Sequence, residues 1–395
     1  MWQKIKNYYH LAQALCSDLI YGFPSKKLTV IGVTGTDGKT TTVSMISHIL
    51  KAANKKVSMI NSISAQIGNR QYDTGFHVST PSPFQVQKYL KHAVKNGSQY
   101  FVLEATSHGL DQNRLAFVDF KVAVLTHITH EHLDYHKTWD QYAYSKLKLF
   151  KNAQTSIINS DDDKSYQFIK ARVKGKILTY SQKKYADFNL DNFRIKLKID
   201  GDYNLQNAMA AAAAASSLGI PKQTILKALA SFSGVLGRME NIDLGQDFLV
   251  FVDFAHTPNG LENALATLRS KVSPGSRVIA VFGSAGERDK AKRIMMGRVA
   301  DKLADLIVLT SEDPRSEDPQ KICREIARGI KNKKYHIIID RQEAIDYAIS
   351  KAKGSDVVGF FGKAHEKSMN IGGKESPWDE FEAARETIKR RLNAK

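Results

Sequence analysis

Between Val30 and Ile46 the chain reads VIGVTGTDGKTTTVSMI. An apolar run passes through Gly35, Thr36, Asp37, Gly38, Lys39, Thr40 and Thr41 into a helical pattern. This order can hold phosphate. Glycines let backbone N–H groups approach phosphate oxygens, and the new helix directs its positive end at them. Lys39 supplies a full charge, and the Thr40 hydroxyl can ligate Mg2+. The strict spacing G-x-x-x-x-G-K-[ST] asks for glycine at position 33, where the chain has Val33, with Gly32 one place off. The strand–loop–helix context still predicts phosphate binding.

A phosphate-transfer site also needs groups for the metal. Glu104 ends the apolar run YFVLE, in FVLEATSHGLDQNR. The next apolar run ends at Thr126 and leads into HITHEHLDYH, which is rich in His, Glu and Asp. Zinc is the rival reading, since His132 and His136 have the His-x3-His spacing. Against it, Leu133 stands where the H-E-x-x-H motif has its Glu, and no cysteine joins the cluster. Mg2+ held by a few protein groups and phosphate oxygens fits better, with His132 as the chosen ligand.

These groups need a scaffold. Short β-rich runs alternate with helical patterns, as in βαβ units on a parallel sheet. Runs at 28–33, 100–104, 121–126 and 155–159 read as strands, and 40–53, 84–95 and 139–151 as helices. FRIKLKI at 193–199 alternates as a half-exposed strand does. NAMAAAAAASSLGI at 207–220 predicts a thin, closely packed helix, with another from Pro221 to about Phe232. The glycine-rich segment 233–247 lacks periodicity and marks a boundary. Strands are then expected at 247–254, 277–283, 305–310, 335–340 and 356–362, ending in a helix near 378–392. The fold class is α/β: a phosphate-loop domain with a mostly parallel sheet, then a Rossmann-like α/β domain. Domains are expected at 1–27 (helix and linker remnant), 28–236 and 237–395.

The net charge is +18, yet Lys and Arg are scattered over the length of the chain rather than gathered in a stripe. That argues against nucleic acid and for a lysine-rich surface that can draw an anionic substrate. The two cysteines, Cys16 and Cys323, form neither a disulfide framework nor a metal cluster. No run is long enough to cross a membrane, and the N-terminus lacks a signal-peptide core. The expectation is a cytoplasmic protein with no membrane partner.

TGTDGKTTT, EATSHGLDQNR, THITHEHLDYH, GRME, VDFAHTPNGLENAL and GKAHE, in this order, resemble the Mur ligases. The chain is most similar to the branch that adds the third residue to UDP-N-acetylmuramoyl-L-alanyl-D-glutamate. The resemblance runs over about 18–390, and a phosphate loop without glycine at 33 is that family's own pattern. It implies an ATP-dependent peptide synthase in cell-wall precursor synthesis. The acceptor carboxylate would attack the γ-phosphate, and the incoming amine would displace phosphate from the acyl phosphate. Lys39, Thr40, Glu104 and His132 would serve ATP and two Mg2+ ions. Lys146 matches the lysine that takes up CO2 as a carbamate and so becomes an anionic ligand. Asn207, Arg238, Asp253 and His256 match nucleotide contacts. Ser79, Thr80, Ser107, Gln112 and Arg114 match the residues holding the UDP-muramoyl dipeptide. Asp313, Arg315, Gly362 and Glu366 match the pocket for the diamino acid, with Arg315 on a carboxylate and Glu366 on an ammonium.

The departures carry information. Diaminopimelate-adding members usually read Asp-Asn-Pro-Arg where this chain has Glu312-Asp313-Pro314-Arg315. Arg315 favours a side chain ending in carboxylate, whereas Asp313 adds a charge that would suit an extra ammonium, as on lysine. The balance leans to meso-diaminopimelate. His127 replaces an asparagine, and Ala364 replaces the middle glycine of GKGHE. About 27 residues precede the first strand, where the family usually carries a whole domain for the uridine diphosphate end. The expectation is a short form or a truncated chain, acting as a monomer. Alternatives are a Mur-like ligase for a UDP-free acceptor, such as a pseudomurein-type peptide or a poly-amino acid, and a degenerate ATP-binding scaffold. The second would predict loss of Lys39, Glu104, His132 or Lys146, and all are present.

Overall fold

The computed structural model describes residues 2–72, 80–129 and 131–394. The chain divides into two compact units. The first comprises Met1–His130, His136–Ile199 and Tyr203–Ser233; the second comprises Glu131–Tyr135, Asp200–Asp202 and Gly234–Lys395.

The first unit is built on an eight-stranded sheet of order β4-β3-β2-β5-β1-β6-β7-β8. Its strands are β1 (Thr29–Thr34), β2 (Val57–Ile60), β3 (Ala65–Ile67), β4 (Arg70–Tyr72), β5 (Tyr100–Glu104), β6 (Phe120–Leu125), β7 (Thr155–Asn159) and β8 (Lys176–Tyr180). β1 lies at the centre, parallel to β5 and β6, and Val30, Ile31 and Val33 are fully buried. A strand covered on both faces must read as a continuous apolar run, as this one does. The short β2–β3–β4 meander is antiparallel and edges the sheet.

Val33 answers for the missing glycine. It pairs in register with Glu104 on one side and Val124 on the other, so β1 continues through the position where a longer loop would begin. The turn starts at Gly35 instead. Gly35 and Gly38 both require their lack of a side chain. A Cβ at Gly35 would lie 1.7 Å from Thr126 Oγ1, and one at Gly38 would lie 2.2 Å from Asn207 Oδ1. Gly38 also sits at φ 80, a left-handed conformation that side chains resist.

The alanine run lies in the helix Asp202–Ser217, where every residue from Ala208 to Ala215 is fully buried. Methyl-sized side chains let this helix pack closely on all sides, and they bring Asn207 up to the phosphate loop. The segment 193–199 differs from expectation. Phe193 and Ile195 are buried between exposed neighbours, so the alternation is real, yet no ladder forms. Alternation reports which side chains turn inward; a strand also needs a partner edge for its N–H and C=O groups.

The second unit has a six-stranded sheet of order β13-β12-β11-β14-β10-β9. Its strands are β9 (Glu240–Asn241), β10 (Leu249–Asp253), β11 (Val278–Phe282), β12 (Leu306–Leu309), β13 (Lys334–Ile337) and β14 (Val357–Phe361). All neighbours are parallel except β9, which runs antiparallel to β10. Two apolar layers cover the sheet. Val252, Val281, Ile345 and Ile388 lie in one, and Leu265, Phe282, Met296 and Ile326 in the other. A hairpin of β15 (Ser368–Ile371) and β16 (Lys374–Pro377) forms a separate two-stranded sheet and is bridged to Arg315. Loops at the carboxyl ends of such strands are where an open α/β sheet binds ligands.

Candidate functional site

In the first unit the phosphate loop joins β1 to the helix Lys39–Ala52. Lys39 Nζ donates to Thr36 O at 2.8 Å and lies 4.0 Å from Glu104 Oε1. Thr40 Oγ1 donates to Glu104 Oε2 at 2.9 Å. β1 and β5 are neighbours in parallel register, which carries the loop and Glu104 to the same end of the sheet. Thr126 Oγ1 donates to Asp37 O at 2.7 Å, and His127 Nε2 lies 3.3 Å from Asp37 Oδ2. Thr36 and Thr41 are buried. Asn207 faces Gly38, and Thr42 Oγ1 donates to its Oδ1 at 3.5 Å.

Lys146 is only 1% exposed. Its Nζ donates to Gly35 O at 2.7 Å and lies 4.3 Å from the centre of the Tyr142 ring. A surface lysine would not be held in this way; the structure makes Lys146 part of the loop's surroundings. His136 packs beside it. Its ring centre is 5.1 Å from that of Tyr142 and 5.5 Å from that of His108. Burial, with the nearby His108 and Lys146, holds His136 down at about 3, so it stays neutral.

His132 lies in Glu131–Tyr135, which clusters with the second unit, and its Nδ1 is 3.9 Å from Glu131 Oε1. Ser62, at the tip of the β2–β3 hairpin, was not expected. Its Oγ lies 2.9 Å from Thr40 Oγ1, and its backbone N–H donates to Glu104 Oε2 at 3.1 Å. Nothing in NSIS signals this, because the hairpin strands are too short to show a period.

The expected acceptor residues also converge. Thr80 Oγ1 donates to Glu104 O at 3.2 Å and lies 2.9 Å from Thr106 Oγ1. Arg114 Nη1 donates to Thr80 O at 2.9 Å, and Arg114 Nη2 donates to Gln112 Oε1 at 2.6 Å. Ser107 is buried at the start of the helix Ser107–Asp111. Ser79 lies outside the described residues.

The second unit gathers the rest. Asp253 ends β10, where its Oδ2 accepts from Met239 N and its Oδ1 from Ala255 N, both at 2.7 Å. Around it the Phe254 ring lies 4.7 Å from His256, 4.8 Å from His365 and 4.8 Å from the Arg238 guanidinium. Asp313, Arg315 and Ala364 adopt left-handed φ values of 43°, 54° and 38°. Arg315 is pinned through its backbone: its N–H donates to Asn370 O at 3.0 Å, and its carbonyl accepts from Gly372 N at 2.7 Å. Gly362 sits at φ 101, and a Cβ there would lie 2.2 Å from Glu312 Oε2.

Lys363 changes the reading of Asp313. Its Nζ is fully buried and donates to Asp313 Oδ1 at 2.9 Å and to Glu366 Oε2 at 2.6 Å. The charge expected to welcome an extra ammonium is met by a cation of the chain itself. Arg288 lies near Arg315. Burial and Arg315 push its guanidinium down, while Asp134, Glu131 and Glu287 draw it up. Arg288 stands in GERDKAKR, a charged run that composition does not distinguish from a solvated surface.

Among the described residues no helix is long and apolar enough to cross a membrane. A phosphate loop on a central parallel strand, followed by a second α/β unit with charged loops at its strand ends, defines a nucleotide-using α/β enzyme. The model of the Mur ligase middle domain matches residues 33–215, and that of the Mur ligase glutamate ligase domain matches 237–364. The chain belongs to the Mur ligase family. A relative from Caldanaerobacter subterraneus subsp. tengcongensis, named UDP-N-acetylmuramoyl-L-alanyl-D-glutamate–2,6-diaminopimelate ligase, is 40% identical over 95% of this chain and 81% of its own. One of the same name from Clostridium botulinum is 40% identical over 96% of this chain and 81% of its own. A Roseiflexus relative named UDP-N-acetylmuramyl-tripeptide synthetase is 38% identical over 96% of this chain and 82% of its own. Among solved structures, a 2,6-diaminopimelate ligase aligns with TM-score 0.61 at 32% identity, covering 92% of this chain and 79% of that one. A pseudomurein peptide ligase from Methanothermus fervidus, at TM-score 0.68 and 18% identity over 92% and 79% of the two chains, shares the fold.

Proposed function

We propose that this protein uses ATP to join meso-diaminopimelate to the D-glutamyl carboxylate of UDP-N-acetylmuramoyl-L-alanyl-D-glutamate, in the cytoplasm, as a step in peptidoglycan precursor synthesis. One observation carries the chemistry: Lys39 and Thr40 both reach Glu104 beside the phosphate loop, and the buried Lys146 amine reaches the loop carbonyl of Gly35. The relatives near 40% identity carry the choice of substrates.

Phosphoryl transfer asks for positioning and charge neutralisation more than covalent help. The backbone N–H groups of Gly35–Lys39 would receive the phosphates. Lys39 would leave Thr36 O for the β- and γ-phosphate oxygens. The Thr40 hydroxyl and Glu104 carboxylate are hard oxygen donors, the set that Mg2+ prefers. Bound there, Mg2+ would neutralise charge on the phosphates. Lys146 could hold a second ion once CO2 has added to Nζ. On carbamate formation the ammonium releases two protons and keeps one N–H for Gly35 O, and the two new oxygens share one negative charge, whereas the bare ammonium would repel a cation.

Thr80, Ser107, Gln112 and Arg114 would hold the acceptor. Its carboxylate oxygen attacks the γ-phosphorus, the bond to the β-phosphate oxygen breaks, and ADP leaves. The neutral amine of diaminopimelate then attacks the acyl carbon. The C–O bond to phosphate breaks, phosphate carries off the electron pair, and the amine loses a proton. Arg288 and Arg315 would grip the distal carboxylate, and Glu366 the distal ammonium. Lys363 shares its charge between Asp313 and Glu366, so the preference for diaminopimelate over lysine rests on the arginines that would meet the distal carboxylate.

The test is ADP release with the muramoyl dipeptide and a panel of amino acids. Release that needs both the acceptor and meso-diaminopimelate is expected. A best rate with lysine would overturn the choice of amino acid, and no acceptor-dependent release with any amino acid would overturn the reaction.

A further inference from the structure

Arg341 opens the helix Arg341–Lys351, and Glu380 opens the helix Glu380–Asn393. Their side chains are 1% and 0% exposed. They meet in two parallel bonds: Arg341 Nε donates to Glu380 Oε2 at 2.8 Å, and Nη2 donates to Oε1 at 2.7 Å. Trp378 Nε1 donates to the same carboxylate at 2.7 Å. The other guanidinium bonds go to main-chain carbonyls. Nη1 donates to Ser311 O at 2.9 Å, and Nη2 also donates to Phe361 O at 2.8 Å.

The position of those carbonyls matters. Ser311 immediately precedes Glu312-Asp313-Pro314-Arg315, and Phe361 immediately precedes Gly362-Lys363-Ala364-His365-Glu366. One guanidinium therefore ties together the roots of the two loops. Farther out, Lys363 ties Asp313 to Glu366. The two loops contain three non-glycine residues with left-handed φ: Asp313, Arg315 and Ala364. Such conformations persist when their surroundings over-determine them, and they concentrate where a loop must hold a particular geometry.

We propose that Arg341, held by Glu380, is a positioning residue for the incoming amino acid. It sets the separation of the Arg315 loop from the Glu366 loop, and so the fit of a substrate with a carboxylate and an ammonium at one end. This rests on the amino-acid pocket assigned above. A pair serving stability alone would not need two carbonyl bonds at these places, and well-packed apolar residues can replace such a pair. The arrangement needs the flat fork of arginine, which reaches a carboxylate and two carbonyls at once. Lysine keeps the charge and loses the fork.

The test uses Arg341→Lys, Arg341→Met and Glu380→Gln in the full chain, with steady-state ADP release on ATP, the muramoyl dipeptide and meso-diaminopimelate. Wild-type turnover of meso-diaminopimelate comes first; its absence rejects the functional reading and says nothing against the clamp. Given that turnover, the KM for meso-diaminopimelate is expected to rise about 10-fold or more in Arg341→Lys and Glu380→Gln, while the KM for ATP stays within about 2-fold. Unchanged KM for the amino acid in a variant with a native melting profile overturns the proposal, as does an equal rise in both KM values. Should Arg341→Met fail to fold, Glu380→Gln, which keeps size and shape, carries the test.

Discussion

Glu312 shows how one residue can be tuned by its neighbours. Its carboxyl is fully buried, and burial pushes it up from 4.5 to about 7. Lys292, Arg341 and Lys363 draw it down, and Asp313 adds to the rise. The folded protein thus holds this proton more tightly than the unfolded chain does. The stabilisation is complete below about pH 4.5 and is lost as pH rises through about 7, amounting to about 3 kcal/mol across that window. Glu312→Gln keeps the shape and removes the titration. Urea unfolding at about pH 5 and pH 8 should show a smaller loss of stability in the variant than in wild type. Equal losses would place the pH dependence elsewhere. Lys39 belongs to the same scale. Lys39→Ala should lower ADP release by about 100-fold or more if Lys39 turns from Thr36 O to the transferred phosphate as proposed, because water cannot supply that charge. Lys146→Ala should be inactive and regain part of its activity with a small added carboxylate. Full activity without the additive would show that no carbamate is needed.

At the scale of elements, the helix Asp202–Ser217 and the phosphate loop depend on each other. The helix can come close only because its buried face is methyl-sized, and Gly38 leaves room for the Asn207 side chain. Ala212→Leu would force extra methylene groups into a fully buried position, at a cost of about 1–3 kcal/mol. It should also weaken ADP binding by moving Asn207, and calorimetric titration would show it; a stability loss with unchanged ADP affinity would separate the helix from the site. The same elements show what the sequence could disclose. The loop 35–40 was legible because its groups are contiguous, and Glu104 because it ends a buried run. The helices expected at 40–53 and 84–95 form as Lys39–Ala52 and Pro83–Lys95. Ser62 was hidden, since its hairpin is too short for periodicity. The strand expected at 193–199 failed because alternation fixes sides and not partners. Lys363 was legible as a residue and silent as a partner; only the fold sets its amine between Asp313 and Glu366.

For the whole molecule, the surplus of +18 charges has to be reconciled with two different substrates. The muramoyl dipeptide carries a diphosphate and free carboxylates, whereas meso-diaminopimelate balances two ammonium groups against two carboxylates near neutral pH. A positive field raises the local concentration of the first and leaves the second almost untouched. Salt screens that field over about 8 Å at physiological ionic strength and over about 3 Å at 1 M. Raising the ionic strength from about 0.05 M to about 0.5 M should therefore raise the KM for the acceptor several-fold while moving the KM for the amino acid little. On the proposed assignment the diamino acid would be held by Arg288, Arg315 and Glu366, and partly buried pairs are screened less than exposed charges. A parallel rise in both KM values would mean that the surface charge does not steer the acceptor and that salt acts on the pocket itself.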